Sequence, residues 1–483
     1  MLNFLRVPIR RQQVALLVVD ALIMLTSLPL AIAIRGVGPL PTDLPPLTIA
    51  NIPWIVIDFV RFYTGATTIS MVVFLSLFFI FDLYTVRRVV SSARYFLYIL
   101  FVCGLACFLI PVFYYFMAYW KLSRGQLGLQ AIIIALAVFT WRMIFFRFHH
   151  RIARRRRVLV VGAGRIARAL LEEIHASFQH EIEIVGVLDD DPAKAGFELN
   201  GYRVIGGTSD LRRVARETEV ETLVFAISRQ NNPIDASLMG EILELKTLGI
   251  EVVQMPTYFK KITGRVPVEF VESSWLVFNQ GFVAVESGPA ARARRLFDIL
   301  VSLGCLVALS PLLLLVALAI KLTSRGPVFY RQDRLGLSRR TYAMIKFRSM
   351  VQDAEKGKGP VWSAGKQDSR VTAVGRFLRR TRLDEVPNFF NVLKGDMSLV
   401  GPRPERAHFA DALQREIPYY ALRFAVKPGL TGWAQVNYSY GASVEDARRK
   451  LQYEMFYIQE RSLFLDLVIL LKTAQTVLLR PGS

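Results

Sequence analysis

The sequence predicts a multi-domain membrane protein with three parts: a four-helix transmembrane bundle, an α/β domain in the cytoplasm, and a mostly α-helical monotopic domain. At 483 residues the chain is long enough for two or more domains. Its residues are 53% hydrophobic with a mean hydropathy of +0.35, which is too apolar for an ordinary soluble enzyme. They are also 20% charged, which is too many for a pure transporter.

Four apolar segments fill the first third of the chain and define a predicted domain over residues 1–150. Each is about 20 residues long, enough to cross a bilayer as a helix, although a set of buried globular helices is the alternative. Arginines cluster before the first segment, between the second and third, and after the fourth. The positive-inside rule therefore places the N-terminus and everything after Arg151 in the cytoplasm. The segments are Val14–Ile34, Ala66–Tyr84, Tyr95–Met117 and Leu127–Phe146.

The net charge of +21 indicates either nucleic acid or an anionic membrane surface as a partner. The chain has neither zinc-finger spacing nor a basic-aromatic RNA-binding motif. Because the basic residues cluster beside apolar segments, we expect membrane lipids as a partner and no nucleic acid. The three cysteines, Cys103, Cys107 and Cys305, lie in apolar segments and are expected to be small core residues.

A glycine-rich turn follows the start of the second predicted domain, residues 151–285. An apolar strand runs from Val158 into Gly162-Ala-Gly164 and then a helix, and a second predicted strand, Ile182–Leu188, leads into Asp189. The segments Thr222–Ala226 and Glu251–Met255 are predicted as further parallel strands. This pattern is typical of a Rossmann-like domain, in which the glycines admit a pyrophosphate and the acid binds a ribose. The same glycines also let a helix pack on a sheet. Gly162, Gly164 and Asp189 are therefore weak candidates for cofactor binding.

The third predicted domain, residues 286–483, opens with an apolar segment at about 294–323 that is interrupted by Ser310-Pro311. Proline removes a helical hydrogen bond and forces a kink. A kinked transmembrane span is one interpretation, and a re-entrant hairpin that enters and leaves by the cytoplasmic face is the other. Basic residues flank both ends of the segment, which favours the re-entrant hairpin.

A pair of short strands is predicted after this segment. Phe329–Arg334 precedes a turn at Gly336, and Thr341–Phe347 returns. The polar, glycine- and lysine-rich segment Val351–Arg370 is predicted to be a mobile loop near the active site.

The segment Arg376–Glu405 is the best candidate for a catalytic site. It holds an adjacent acid pair, Asp384 and Glu385, with arginines before it and a stiff Gly-Pro-Arg-Pro turn after it. One carboxylate of such a pair can attack phosphorus or hold a divalent cation, while the arginines bind phosphate oxygens. Pro387 predicts that a helix begins near Asp384. Solvated surface ion pairs are the alternative interpretation.

Three motifs in this region together resemble the bacterial sugar transferase family, the monotopic polyprenyl-phosphate sugar-1-phosphate transferases. They are Lys346-Phe-Arg-Ser-Met350, the segment Leu383–Pro404, and Lys427-Pro-Gly-Leu-Thr-Gly-Trp433, in this order. The resemblance covers roughly residues 292–483. It implies transfer of a sugar 1-phosphate from a UDP-sugar, best UDP-glucose or UDP-galactose, to undecaprenyl phosphate in the bacterial inner membrane. Uridine monophosphate (UMP) would be released, and exopolysaccharide, capsule or O-antigen synthesis would begin.

The resemblance also implies roles for the acid pair. Asp384 would be the nucleophile that forms a phospho-sugar aspartate, and Glu385 would position Mg²⁺ or help to manage protons. Asp384 and Glu385 are the candidate ligands of Mg²⁺. Where the family commonly has serine before this motif, the present chain has Arg382, which adds positive charge beside the pair.

Basic residues of the three motifs are the candidates for contacts to substrate phosphates. A structural ion pair is the alternative for each of them. The first candidates are Lys346, Arg379 and Arg403, and the second are Arg348 and Lys427.

Two other classes of function are weighed against the transferase. A membrane-tethered nucleotide-sugar dehydratase or epimerase would use the Rossmann-like domain, which offers Tyr202 and Tyr258 without the spacing of a catalytic Tyr–Lys pair. A non-catalytic polysaccharide assembly factor would only bind lipid-linked sugar, and the intact acid pair argues against it. Large apolar and Rossmann-like surfaces favour a homodimer. The motifs are expected to bind phosphates, which all UDP-sugars share, so the sequence does not determine which sugar is transferred.

Overall fold

The computed structural model describes residues 11–35, 52–84, 92–116, 124–152, 155–227, 236–278, 282, 288–351, 370–438, 441 and 443–479. The chain forms two compact units. One holds the helices of the first third with residues from Leu470 on, and the other holds residues 155–469. Most of the polar segment Val351–Arg370, for which a mobile loop is predicted, lies outside the described residues.

Four helices pack around a common apolar core in the first unit. They are α1 (Arg11–Arg35), α2 (Ile52–Ile80), α3 (Ser92–Phe116) and α4 (Arg124–Ile152). Helix α1 packs against α2 and α4, and α3 packs against the same two helices. Each helix contributes fully buried residues to this core, for example Leu16, Phe74, Ile99 and Ile134.

Several helices are apolar enough and long enough to cross a membrane, which identifies a membrane protein. In the part of the chain that the structure describes, these are Gln13–Ala31, Gly125–Phe145 and Pro289–Thr323. The apolar parts of α2 and α3, Thr64–Ile80 and Tyr95–Pro111, are shorter. A bundle of four complete spans therefore stays a prediction.

A fully buried ion pair joins α1 to α4. Arg142 donates hydrogen bonds to Asp20, to the Tyr95 hydroxyl at 2.7 Å and to the backbone carbonyl of Leu83. These residues lie near the start of α1, the start of α3, the end of α2 and the end of α4, so they share one end of an up-and-down arrangement. Because removing one partner of a buried ion pair costs about 3–5 kcal/mol, loss of Asp20 or Arg142 would destabilise the packing of these helices.

The second unit begins with an α/β domain built on a six-stranded sheet. The strands are β1 (Arg156–Val161), β2 (Ile182–Leu188), β3 (Glu198–Leu199), β4 (Tyr202–Gly206), β5 (Thr222–Phe225) and β6 (Glu251–Gln254). Their order is β3-β4-β2-β1-β5-β6, with β3 antiparallel to β4 and the other neighbours parallel. The parallel strands thus follow the order of the doubly wound dinucleotide-binding folds.

Helices cover both faces of this sheet. They are α5 (Arg165–Ser177), α6 (Leu211–Glu217), α7 (Ala236–Thr247) and α8 (Met255–Thr263), followed by α9 (Ser273–Phe278). Helices α5 and α8 share one apolar core with the sheet, and α6 and α7 share the other. The predicted strand Ile182–Leu188 is confirmed, and the other two predicted strands, Thr222–Ala226 and Glu251–Met255, are each one residue shorter in the structure.

The C-terminal domain is mostly helical and contains two small sheets. β7 (Phe329–Leu335) and β8 (Thr341–Phe347) form an antiparallel hairpin, as predicted, and β9 (Ser398–Val400) lies parallel to β10 (Gly429–Thr431). The helices are α10 (Pro289–Thr323), α11 (Ala373–Thr381), α12 (Asn388–Lys394), α13 (Ala407–Glu416), α14 (Trp433–Asn437), α15 (Val444–Glu460) and α16 (Leu463–Leu479).

Both ends of the apolar helix α10 pack on the same C-terminal domain. Near its start, Asp298 accepts hydrogen bonds from the Ser398 hydroxyl at 2.8 Å and the Leu399 N–H at 3.1 Å. Near its end, Val316 and Ile320 lie in a core cluster with residues of β8 and α11. Between these ends, Val307, Leu312, Leu314 and Leu315 are exposed. The helix continues through Pro311, so the re-entrant path stays a prediction.

The loop after α8 joins the α/β domain to the C-terminal domain. Arg265 is buried, pairs with Glu173 of α5, and lies over the ring of Tyr453 in α15 at 5.7 Å. The Trp433 indole N–H donates to the carbonyl of Gly264 at 2.9 Å. These buried contacts explain why the two domains form one compact unit.

Candidate active site

The acid pair lies in a short 3-10 helix, Leu383–Glu385, between α11 and α12. Arg382 ends α11 with a left-handed backbone (φ 56°), which is uncommon for a side chain of this size. Pro387 is the N-cap residue of α12, so the helix begins at Asn388 and not near Asp384 as the sequence predicts. The two carboxylates therefore precede the helix, on a separate tight turn.

Glu385 is held by two basic side chains. The ammonium of Lys346 donates to Glu385 Oε1 at 2.7 Å, and Nη2 of Arg403 donates to the same oxygen at 3.4 Å. The Glu385 side chain is only 15% exposed. The structure thus brings together three residues that the sequence analysis proposes for the site.

The two carboxylates have pKa values that are shifted in opposite directions. Burial and repulsion by Glu385 raise the pKa of Asp384 to about 6, although Lys346, Arg379 and Arg403 act against this shift. Burial would also raise the pKa of Glu385, but Lys346 and Arg403 outweigh it and lower that pKa to about 2. Glu385 is therefore the stable anion of the pair, and Asp384 carries a charge that its surroundings stabilise poorly.

Asp384 accepts no hydrogen bond from any residue that the structure describes, yet it lies within the field of Arg379. Arg379 is fixed by a hydrogen bond from its Nε to the Ser349 hydroxyl at 2.9 Å. Helix α11 also lies against this segment, because a Cβ added to Gly375 would meet the Ser349 carbonyl oxygen at 1.9 Å. Glycine at this position lets α11 carry Arg379 to the acid pair.

Asn391 of α12 ties the acid pair to the strand that carries Lys346. Its side-chain carbonyl accepts from the Ile345 N–H at 3.0 Å, and its amide donates to the Ala343 carbonyl at 2.8 Å. These two bonds complete the free edge of β8 on both sides of Met344. They fix α12, which follows the acid pair, to the backbone of the strand that carries Lys346.

Arg403 is positioned by close backbone contact between two of the motifs. A Cβ on Gly401 would come within 2.4 Å of the Lys427 carbonyl oxygen, and one on Gly429 within 2.0 Å of the Gly401 nitrogen. The Arg403 carbonyl accepts from Arg423 Nη2 at 2.9 Å. Glycine in both motifs is therefore required by the packing of their backbones.

The two second candidates for phosphate contacts lie away from the acid pair. Arg348 is buried and donates to the Ser324 carbonyl and hydroxyl at 2.9 and 2.7 Å, so it anchors the end of α10. Lys427 lies near Asp298 and Arg295, and its pKa is lowered by burial and then by Arg295. Neither contacts Asp384 or Glu385 among the described residues, so their binding of phosphate stays a prediction.

The weak cofactor candidates of the α/β domain do meet in the structure. Asp189 accepts from the Ala163 N–H, between Gly162 and Gly164, at 2.6 Å and from Lys194 at 3.2 Å. Gly162 has φ +103°, and a Cβ there would meet the Ala226 carbonyl oxygen at 2.9 Å. These contacts account for Gly162 and Asp189 by packing and hydrogen bonding within the domain. Nucleotide binding at this turn stays a prediction.

Mg²⁺ fits the acid pair only if the substrate supplies further ligands. In the described residues no group of three or more His, Cys, Asp or Glu side chains is placed to hold a metal ion. In phosphoryl-transfer sites, Mg²⁺ is held by one or two carboxylates together with substrate phosphates. Lys346 and Arg403 both contact Oε1 of Glu385, so its Oε2 and the Asp384 carboxylate fit this mode of binding.

A small pocket beside the acid pair shows a residue that the sequence analysis missed. It encloses about 20 Å³, room for one water molecule. Arg334 of β7 lines it too. The register of the hairpin, with Tyr330 opposite Lys346, places Arg334 on the same face as Lys346. Because side chains alternate between the two faces of a strand, the two predicted strands could have placed Arg334 on the same face as Lys346 from the sequence.

Comparison with known proteins shows the family to which this chain belongs. A family model described as bacterial sugar transferase matches residues 290–480, and one described as CoA-binding domain matches residues 79–239. A UDP-glucose:undecaprenyl-phosphate glucose-1-phosphate transferase of Klebsiella pneumoniae is 33% identical over 74% of this chain and 73% of its own length. This chain belongs to the bacterial sugar transferase family. The predicted family and enzyme class are thereby confirmed.

Other relatives in this family differ in the sugar that their names give. A UDP-N-acetylgalactosamine-undecaprenyl-phosphate N-acetylgalactosaminephosphotransferase of Aeromonas hydrophila is 42% identical over 48% of this chain and 54% of its own length. An undecaprenyl-phosphate galactose phosphotransferase of Salmonella typhimurium is 29% identical over 68% of this chain and 69% of its own length. Three names thus give three different sugars, so similarity does not identify the sugar that this chain transfers.

Proposed function

We propose that this protein transfers a sugar 1-phosphate from a UDP-sugar to undecaprenyl phosphate, releases UMP, and so begins the synthesis of an exopolysaccharide, capsule or O-antigen. The names of the relatives support the donor and acceptor classes. UDP-glucose and UDP-galactose are the first donors to test. One observation supports the mechanism: the two acids differ in their partners. Glu385 is neutralised by Lys346 and Arg403, while Asp384 has no hydrogen bond to a described residue.

The reaction would proceed in two displacements at one phosphorus. An Asp384 oxygen attacks the sugar-bearing phosphorus of the donor, the bond to the bridging oxygen breaks, and UMP leaves with that oxygen and its electron pair. A phosphate oxygen of undecaprenyl phosphate then attacks the same phosphorus, and the Asp384 carboxylate leaves. Lys346 and Arg403 would exchange Glu385 for phosphate oxygens as the donor enters. A bound Mg²⁺ would neutralise diphosphate charge.

The membrane placement of this site is also a proposal. Both ends of α10 pack on the same domain while its apolar centre is exposed, which supports a helix that enters and leaves the bilayer on one side. A re-entrant helix would hold the acid pair at the depth of the lipid phosphate. We propose four transmembrane helices before it, the α/β and C-terminal domains on the cytoplasmic side of a bacterial inner membrane, and a homodimer.

The test of this function is UMP release by purified full-length protein in lipid, with Mg²⁺, undecaprenyl phosphate and a panel of UDP-sugars. We expect release with one or a few donors and formation of the matching lipid-linked sugar diphosphate. Well-folded protein that releases no UMP with any donor would contradict the proposal.

The pH dependence of the first displacement should follow the ionisation of Asp384. Because only the carboxylate attacks, and its pKa is raised to about 6, the value of kcat/KM for the donor should rise with pH through about 6 and level off above. Glu385→Gln removes the neighbouring negative charge and frees Lys346 and Arg403, so the residual activity should show its rise at lower pH. If kcat/KM for the donor still rises near pH 6 in this variant, the assignment of that rise to Asp384 is wrong.

A further inference from the structure

Arg334 is a largely buried arginine whose hydrogen bonds are only partly made. Its Nη2 donates to Gln332 Oε1 at 2.6 Å, and its Nη1 donates to the Pro404 carbonyl at 3.3 Å. A carboxylate oxygen of Glu405 lies 3.7 Å away, too far for a hydrogen bond. Its Nε is buried and has no hydrogen-bond partner among the described residues. A buried donor without a partner is uncommon, and a ligand is one explanation.

The charge of Arg334 is also poorly balanced by its neighbours. Burial lowers the pKa of Arg334, and repulsion by Arg403 and Arg406 lowers it further, while Glu405 acts in the opposite direction. An anion that entered the pocket would relieve this repulsion and supply an acceptor for Nε. Phosphate is the anion that fits best, because a planar guanidinium donates two parallel hydrogen bonds to its oxygens.

We propose that Arg334 binds the phosphate of the leaving nucleotide. This inference rests on the proposed function, which places the attacked phosphorus at Asp384. Arg403 contacts Glu385 on one side and lies near Arg334 on the other. Arg334, Arg403 and Glu385 line one small pocket. The second phosphate of the donor is one bridging oxygen from the first, so with the first phosphate at Asp384 the second would lie on the Arg403 side, toward Arg334. The same chemistry would suit the phosphate of undecaprenyl phosphate, and the experiment separates the two.

The experiment measures Arg334→Gln in full-length protein against the wild type. The readouts are KM for the UDP-sugar, inhibition by UMP, KM for undecaprenyl phosphate, and the burst of UMP without acceptor. We expect KM for the donor and the inhibition constant of UMP each to rise about 10- to 100-fold, as for the loss of a charged hydrogen bond, with KM for the acceptor unchanged. The control is Arg331→Gln, an exposed residue of the same strand on its other face, which should behave as wild type.

The possible outcomes are distinct. A rise in KM for the acceptor alone, with donor KM and UMP inhibition unchanged, overturns the proposal and assigns Arg334 to the acceptor phosphate. No change in any readout overturns it as well, while UMP release by the wild type leaves the proposed function standing. If the wild type releases no UMP, the proposed function itself is contradicted.

A second variant keeps the test decisive if Arg334→Gln does not fold, as judged by its thermal midpoint. Arg334→Lys keeps the positive charge and loses the planar pair of donors. We expect it to bind UMP several-fold more weakly than wild type at unchanged KM for the acceptor. UMP inhibition equal to that of the wild type in this folded variant overturns the proposal.

Discussion

Replacing Asp384 by asparagine is expected to lower the rate of UMP release by at least about a thousand-fold, because the amide cannot act as the nucleophile. The same substitution should leave the fold intact. The pKa of Asp384 is raised in the folded state, so its charge destabilises the fold, and this cost appears as pH rises through about 6. At pH 7 the thermal midpoint of Asp384→Asn should therefore equal or exceed that of the wild type.

A trapping experiment distinguishes the two acids of the pair. Protein incubated with a donor labelled in the sugar phosphate, without acceptor, should retain the label on the Asp384 side chain, located by fragmenting the labelled peptide between Asp384 and Glu385. The matched control is Glu385→Gln, which keeps the Asp384 nucleophile and should label slowly. Label on Glu385, or label retained by Asp384→Asn, would show that the assignment is wrong.

Replacing Arg423 by methionine is expected to lower the free energy of unfolding of the C-terminal domain by about 3–5 kcal/mol, because Glu454 would stay buried without a partner. Arg423 donates to both oxygens of Glu454, at 2.9 and 2.8 Å, and their side chains are only 6% and 4% exposed. Arg423 also holds the Arg403 carbonyl, so KM for the donor should rise too. Thermal and chemical unfolding in detergent or lipid measure the first effect.

Two controls show whether the buried pair is the cause. The double variant Arg423→Met/Glu454→Met removes both charges and should recover most of the lost stability. Arg213→Met breaks the pair of Arg213 with Asp210 on the surface of the protein, where the partners are 57% and 35% exposed, and should leave the free energy of unfolding nearly unchanged. A double variant as unstable as Arg423→Met would indicate that packing, not charge, sets the effect.

The sequence by itself determined the features that depend on local pattern. Continuous apolar runs predicted β2 at its bounds and the helical first third of the chain, and two short segments around the Gly336 turn predicted the β7–β8 hairpin. The three motifs with Asp384 and Glu385 identified the family, because such spacing is specific. Their residue types also predicted that Lys346 and Arg403 belong with the acid pair, and the contacts to Glu385 agree.

Only the tertiary structure decided how the charges of the site are divided. Asp384 and Glu385 are adjacent in the chain, yet Lys346 and Arg403 reach one of them, and their pKa values separate for that reason. It also decided that Arg348 anchors α10 and that Arg334 lines the pocket. Hydrogen bonds, burial and Coulomb interaction depend on distances between residues far apart in sequence, and these distances are fixed only when the chain packs.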